Sequence, residues 1–306
     1  MAFLFFAYCS MLIRNTLLLF CFCLEVSFSA FSQTPQQWAQ TVNWDGVTHW
    51  SRYINMIPGK MGPNALPVPQ VGNGSLDSNY WVAMTGQFHS RPGETSQSIV
   101  LYCNLPLVKD VITLDVSYLP VEFYRMSDSL KRERHVYYEF YNDKTAGGDV
   151  YLNLNIKLFK KWEKKIQLAF RAGYRYPASS GFGASRFTDD MGYYLDLSAG
   201  KPLGMKGWKL IGMAGFYCWQ IDRNDLRQDD AFLFGGGVEM KRNNWQFQTT
   251  FSGYLGYLED QGDKPILYRA SLEKKFSKTA FLLKFQQGLH DFKYTTGEIG
   301  LKKFFK

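Results

Sequence analysis

Val150, Leu152, Leu154, Ile156 and Leu158 alternate with Tyr151, Asn153, Asn155 and Lys157. Side chains of a strand point to opposite faces with period two, so this segment has one apolar face and one polar face. The pattern recurs downstream. Ile166, Leu168, Phe170, Ala172, Tyr174 and Tyr176 alternate with Lys165, Gln167, Ala169, Arg171, Gly173 and Arg175. Trp245, Phe247, Thr249, Phe251, Gly253, Leu255 and Tyr257 alternate with Gln246, Gln248, Thr250, Ser252, Tyr254 and Gly256. From Tyr80 to the C-terminus the sequence predicts about twelve strands: 80–89, 97–105, 110–124, 149–159, 165–176, 190–200, 208–220, 231–241, 245–257, 265–275, 279–290 and 294–305. Most exceed the roughly 5–6 residues usual in soluble sheets and match the roughly 9–11 needed to cross a bilayer at a tilt. Aromatic residues gather toward the ends of the apolar faces. Long, two-faced, aromatic-ended strands predict an all-β chain: a transmembrane antiparallel β-barrel of about 12 strands.

Composition agrees with this reading. The 306-residue chain is 46% hydrophobic and 17% aromatic. Its mean hydropathy is only -0.25, because half of the residues in such strands face a lumen. No stretch after the N-terminus is apolar and long enough for a transmembrane helix. Arg14, the apolar run Thr16 to Leu24 and the small residues Ser27, Ser29, Ala30 and Ser32 read as an export signal over 1–32, with Met11 as an alternative start. Cys9, Cys21 and Cys23 lie in that signal. Cys103 and Cys218 fall near apolar strand positions and read as separate thiols rather than a disulfide.

Residues 33–79 differ in character from the strand-patterned remainder of the chain. Trp38, Trp44, Trp50 and Tyr53 precede a stretch containing Pro58, Gly59, Gly62, Pro63, Pro67, Pro69, Gly72 and Gly74. Proline at this density disfavours central strands. The segment reads as a non-barrel extension, lying in the periplasm or folded into the barrel as a plug. A disordered linker is the plainer alternative, against which the aromatics argue.

The connections are of two kinds. Short cationic ones carry Lys160, Lys161, Lys164 and Lys165, then Lys201 and Lys206, Lys241 and Arg242, and Lys274, Lys275 and Lys278. Longer, more acidic ones are Ser127 to Gly148, Pro177 to Asp189, Asp222 to Asp230 and Glu259 to Lys264. Short turns on one side and long loops on the other are the habit of bacterial outer-membrane barrels, and an even strand number puts both termini on the short-turn side. Lysine collars there would meet anionic lipid headgroups. The net charge of +8 is dispersed and accompanied by no nucleic-acid recognition motif.

In these features the chain resembles the Gram-negative outer-membrane β-barrel proteins, over Tyr80 to the end and in its signal. The resemblance implies insertion by the barrel assembly machinery, which reads a C-terminal aromatic. Phe305 stands in that role, followed here by Lys306. It also implies outer-membrane lipids and lipopolysaccharide as surroundings, and leaves open a surface or periplasmic protein partner. The rival fold is a secreted soluble β-barrel or sandwich that buries the apolar face around an apolar ligand.

If the apolar face meets lipid, the lumen receives Arg171, Arg175, Asp196, Glu239, Arg269, Glu273, Lys284 and Glu298. Confined charges must be paired or hydrated, so these form either an ion-pair network or a selectivity ring. A barrel of this size is narrow enough for side chains nearly to fill it. Gly235, Gly236 and Gly237 lack the helix and lysine of a phosphate loop, and predict a strand bend or room for a bulky neighbour. Ser90, His290 and Asp291 make a rim grouping for a lipid hydrolase of phospholipase or lipid A deacylase type, but the two strands concerned are separated by a third. Asp222, Asp225, Asp229 and Asp230 are the candidate calcium ligands, without the spacing of an EF-hand loop. The expected function is non-enzymatic and cofactor-free: passive or gated passage of a small solute, or a structural or surface-interaction role.

Overall fold

The computed structural model describes residues 32–159, 165–221, 228–257 and 262–305. The expected signal, with its cysteines and alternative start, falls outside these residues apart from Ser32.

The strands are β1 (Trp81–Arg91), β2 (Glu94–Val108), β3 (Ile112–Met126), the two-residue β4 (Thr145–Ala146), β5 (Val150–Leu158), β6 (Gln167–Tyr176), β7 (Gly192–Pro202), β8 (Trp208–Gln220), β9 (Gln228–Arg242), β10 (Trp245–Gly256), β11 (Ile266–Lys275), β12 (Thr279–His290) and β13 (Thr295–Phe304). Each long strand pairs antiparallel with its neighbours in sequence, and β1 pairs with β13 from Trp81↔Phe304 to Ser90↔Thr295. The sheet therefore closes into a 12-strand barrel, with β4 an appendage on β3. Closure leaves no sheet edge, which is what allows strands to stand in lipid.

The expected faces are the observed ones. Met84, Leu101, Leu197, Phe251, Leu283 and Leu301 are exposed on the outside, Leu301 at 65% and Met84 at 60%. A soluble barrel would have turned these inward. The largest departures in length are β2 and β9, each 15 residues. The β2 pattern starts three residues earlier than expected because Glu94 and Ser96 are buried inward-facing polar residues. These obey the alternation but not the apolar rule used to find it. Register shifts in the β2–β3 ladder lie at Ile99/Leu101 and Pro106/Val108, where Pro106 can be accommodated.

Helix α1 (Pro35–Val42) opens the extension, where the sequence pattern had announced no regular element. Thr34 and Gln37 form a reciprocal capping box, and Pro35 opens the first turn, where a missing N–H costs nothing. Short 3-10 turns come next, at Trp50–Tyr53 and Pro58–Lys60. No strand forms between Gln33 and Tyr80.

The buried apolar residues form two clusters. One unites Met61, Leu66, Val68 and Val71 of the extension with Tyr217, Trp219, Tyr254 and Leu267 of the inner wall. The other joins the long-loop halves of β2 and β3 to Leu130, Val136, Tyr141 and Phe187 of two long loops.

Candidate functional site

The proline-rich segment has main-chain carbonyls and no strand to pair with, and buried carbonyls require partners. The lumen supplies them. Arg175 Nη1 donates to the Ala65 carbonyl at 2.6 Å, and the Tyr254 hydroxyl to that of Leu66 at 2.8 Å. Arg269 donates to Val68 at 2.6 Å and to Pro69 at 3.2 Å. Arg171 donates to Gln70 at 2.9 Å, and Gln248 to Val71 at 3.2 Å. From Ala65 to Val71, only the Pro67 carbonyl lacks such a donor among the described bonds. A hydrogen bond from a charged donor contributes about 1.5–3 kcal/mol, and burial of an apolar side chain such as Leu66 or Val68 a further 1.5–3 kcal/mol or so.

The path runs the length of the barrel. At the long-loop end, Gly59 N–H donates to Gly262 at 2.8 Å and Gly62 N–H to Ser185 at 3.0 Å. At the short-turn end, Asn73 donates to Glu239 at 2.7 Å and Asn104 to the Asp77 carbonyl at 3.0 Å. Close approach fixes residue size on the way. A Cβ on Gly235 would lie 2.6 Å from Val71 Cγ2. The neighbour for which Gly235 makes room is thus the chain's own extension, whereas Gly236 and Gly237 face adjacent strands. Side chains alone do not fill the lumen; a chain segment does most of it.

The eight expected lumen charges all sit on the inner face, but only four pair with one another. Arg171 meets Asp196 at 2.7 Å, and Lys284 meets Glu298 at 2.7 Å. Glu273 pairs instead with Lys302 at 2.6 Å, and Glu239 with Lys209 at 3.5 Å. Arg175 lies 3.9 Å from Asp149, and Arg269 binds the extension and Gln286. Lys302, Lys209 and Asp149 were missed because they sit at strand ends, where turn and lumen read alike.

Above the lumen, two long loops fold inward on a second buried charge cluster. Arg186 clasps Glu122 through Nε at 3.1 Å and Nη2 at 2.8 Å, and its other nitrogen pairs with Glu94. Arg134 meets the second oxygen of Glu94 at 2.6 Å, where the Tyr294 hydroxyl also lies at 2.6 Å. The side chains of Glu94, Glu122, Arg134 and Arg186 are all 0% exposed. Burial pushes Arg186 down to about 10, so it remains a cation at neutral pH. Nothing in the sequence around Arg134 or Arg186 marks them, because isolated loop arginines are ordinarily solvated.

The start of the extension packs on the same loops. Trp38 Nε1 donates to the His135 carbonyl at 3.2 Å, and His135 Nδ1 to that of Tyr53 at 2.9 Å. The Trp50 ring stacks on Tyr137 at 4.7 Å and 13°. Beside this cluster, Asp45 accepts from Thr48 and from the Val47 and Thr48 amides, which together hold its carboxyl down at about 2. A carboxyl lowered on folding supports its turn above its ordinary value of 3.8, and that support is lost as pH falls toward 2. Amide-exchange protection of Val47 and Thr48, corrected for intrinsic rate, should fall between pH 4 and pH 2. Equal protection at both ends of that range would refute the assignment.

Other sequence candidates do not converge. Ser90 lies on β1, between Thr95 of β2 and Thr295 of β13. His290 ends β12, on the far side of β13, with Nδ1 donating to the Lys264 carbonyl at 2.9 Å. Asp291 sits 3.3 Å from His290 and accepts the Lys264 amide. Asp222 and Asp225 lie outside the described residues. Asp229 is buried, and Asp230 accepts from Gln228. No cluster of three metal-ligating side chains exists among the described residues. Cys103 and Cys218 are free thiols. Phe305 is half-exposed, with its N–H donating to Tyr80.

The segment does not occupy the whole lumen. A cavity of about 490 Å³ lies between it and the barrel wall, lined by residues of every long strand except β8 and β9. Its lining runs along β1 from Trp81 to His89, a span of roughly 26 Å of strand. It has room for on the order of fifteen waters.

No protein-family model matches the chain, and no curated protein does. Solved structures do. An outer membrane channel from Pseudomonas putida F1 is 13% identical, with 78% of this chain and 100% of that chain covered and a TM-score of 0.56. LpxR from Salmonella typhimurium is 10% identical over 73% of this chain and 100% of that one, with a TM-score of 0.43. The translocator domain of the autotransporter NalP from Neisseria meningitidis is 9% identical over 75% and 90%, with a TM-score of 0.40. The first likeness is one of fold, and the other two are too distant to argue from. The chain has the fold of an outer-membrane β-barrel protein.

Proposed function

We propose that this chain is a gated passage for small solutes in a bacterial outer membrane, closed by its own residues 58–74. The observation that carries this is the one-sided filling of the lumen. A segment serving only to fill the barrel would be packed on every side. Here it packs against Tyr217, Trp219, Tyr254 and Leu267 on one side and borders the cavity on another. The inward loops with their Glu94–Arg134–Arg186–Glu122 cluster close the outer end.

In this reading an N-terminal signal directs export, and Phe305 is read by the assembly machinery. The short turns face the periplasm, and the long loops face lipopolysaccharide. Lysines at the short-turn end cover aromatic rings, Lys274 over Trp245 at 4.2 Å and Lys275 over Phe304 at 4.1 Å, where anionic headgroups would lie. The test is single-channel conductance in a planar bilayer of the mature chain with and without Gln33 to Asn79. Steady steps at least several-fold larger in the truncated chain are expected. A folded truncated barrel as silent as the full chain would refute the proposal.

A further inference from the structure

The closing segment is held in two ways along its length. From Ala65 to Val71 its carbonyls are bound by side chains of β6, β10 and β11, a wall fixed by its own ladders. From Gly59 to Gly62 its partners lie in connections at the long-loop end. The Gly59 N–H donates to Gly262 at 2.8 Å and the Gly62 N–H to Ser185 at 3.0 Å. The Ser185 hydroxyl donates back to the Lys60 carbonyl at 3.3 Å. Tyr294, between β12 and β13, places its hydroxyl 3.1 Å from the Met61 carbonyl and 2.6 Å from Glu94.

Arg186 stands where these loop contacts meet the buried charge cluster. Its side chain faces the wall: Nε and Nη2 clasp Glu122 of β3, and Nη1 pairs with Glu94 of β2. Its main chain faces the segment. A Cβ on Gly62 would lie 2.5 Å from the Arg186 carbonyl oxygen and 3.2 Å from its Cα. The residue before it, Ser185, makes both of the loop's hydrogen bonds to residues 60 and 62. The second long loop is tied to the same turn, through the Tyr137 N–H donating to Gly183 at 2.8 Å.

A planar guanidinium that grips carboxylates on two strands fixes the loop that carries it. Lysine in its place would keep the charge and lose the fork. The loop in turn closes over Gly62, so residues 60–62 have no room to leave while Arg186 is seated.

We infer that Arg186 is the positioning residue of the closure: it fastens the loop 177–189 to β2 and β3, and the loop latches the top of the closing segment. Release is then ordered, with residues 60–62 freed first and 65–71 only afterwards. The consequence for solutes rests on the passage reading, since a latch regulates only what can open.

Ordered release has a signature in the full chain. Single cysteines, Met61→Cys or Val68→Cys, are placed in protein with Cys103 and Cys218 changed to serine, and labelled in the folded state with a water-soluble maleimide. Loosening the latch multiplies every later step, so Arg186→Lys should speed labelling at positions 61 and 68 by the same factor, about ten-fold. Loosening the wall grip with Arg269→Lys should speed position 68 alone. Tyr294→Phe, which keeps the ring and drops the hydroxyl beside Met61, should act as Arg186→Lys does, by about three-fold. Planar-bilayer recording of Arg186→Lys protein should show openings more often than in the unaltered chain.

Faster labelling at position 61 alone in Arg186→Lys and Tyr294→Phe would mean that top and body are released independently, and would overturn the latch. Unchanged labelling at both positions in these two variants would overturn it as well. Labelling that follows the predicted pattern with no conductance in any variant would overturn the passage reading and keep the latch.

Discussion

Glu94→Ala is expected to open the loop cap at a cost of about 3–5 kcal/mol, the amount typical of removing one member of a buried charge cluster. Glu94 pairs with both Arg134 and Arg186, and all three side chains are 0% exposed. Without it, two guanidinium groups remain in the interior with Glu122 as the acid left to them. The barrel wall does not depend on this cluster, since its ladders run through backbone hydrogen bonds. Loss should therefore be confined to the cap. Trypsin should cut folded Glu94→Ala protein within 127–148, where Arg132 is exposed, at least ten-fold faster than the unaltered chain. Glu94→Gln, which keeps an acceptor but not the charge, should fall between the two. Equal cleavage rates in all three proteins would mean that the charge cluster does not hold the loops.

An epitope placed between Ser32 and Gln33 is expected at the cell surface, although β1 begins at the short-turn end, which the proposed function places in the periplasm. The reason is the route of the extension. Asn79 and Asp77 bind Asn104 near the short turns, residues 58–74 run up the lumen, and Trp38 and Tyr53 bind His135 in a long loop. Chain polarity then leaves Gln33 on the long-loop side. Antibody should label intact cells as fully as permeabilised ones. Labelling only after permeabilisation would place the extension beneath the membrane and contradict the route.

The barrel was legible because lipid and lumen impose opposite demands on alternate residues. Val150 to Leu158 shows this alternation without a break and Trp245 to Tyr257 with few exceptions, and the structure keeps nearly their ends. Strand starts were less legible where the inward residue was polar and the loop short, as at Glu94. The extension could be recognised as foreign to the barrel by its prolines, but its course could not. What holds it is its own main-chain carbonyls, which every residue possesses and which leave no mark in a sequence. Arg171, Arg175 and Arg269 were legible as lumenal cations, whereas their role toward Gln70, Ala65 and Val68 required the path of the segment. The cap was illegible for a related reason: Glu94, Arg134 and Arg186 are distant in sequence and meet only through the loop fold. Gly235 is the intermediate case, since its smallness announced a close neighbour and only the structure names Val71.

That contact can show whether residues 58–74 are a removable closure of the lumen. A Cβ at position 235 would stand 2.6 Å from Val71 Cγ2. Its distance from the Val71 Cβ is then about 4 Å, within reach of a disulfide. The measurement is bilayer conductance of the Val71→Cys/Gly235→Cys protein, with Cys103 and Cys218 changed to serine, before and after reduction. Silence is expected while the bridge is closed and discrete conductance steps once it is reduced, because the added side chain loosens the released segment. Identical conductance in both states, from protein shown to be crosslinked, would contradict it.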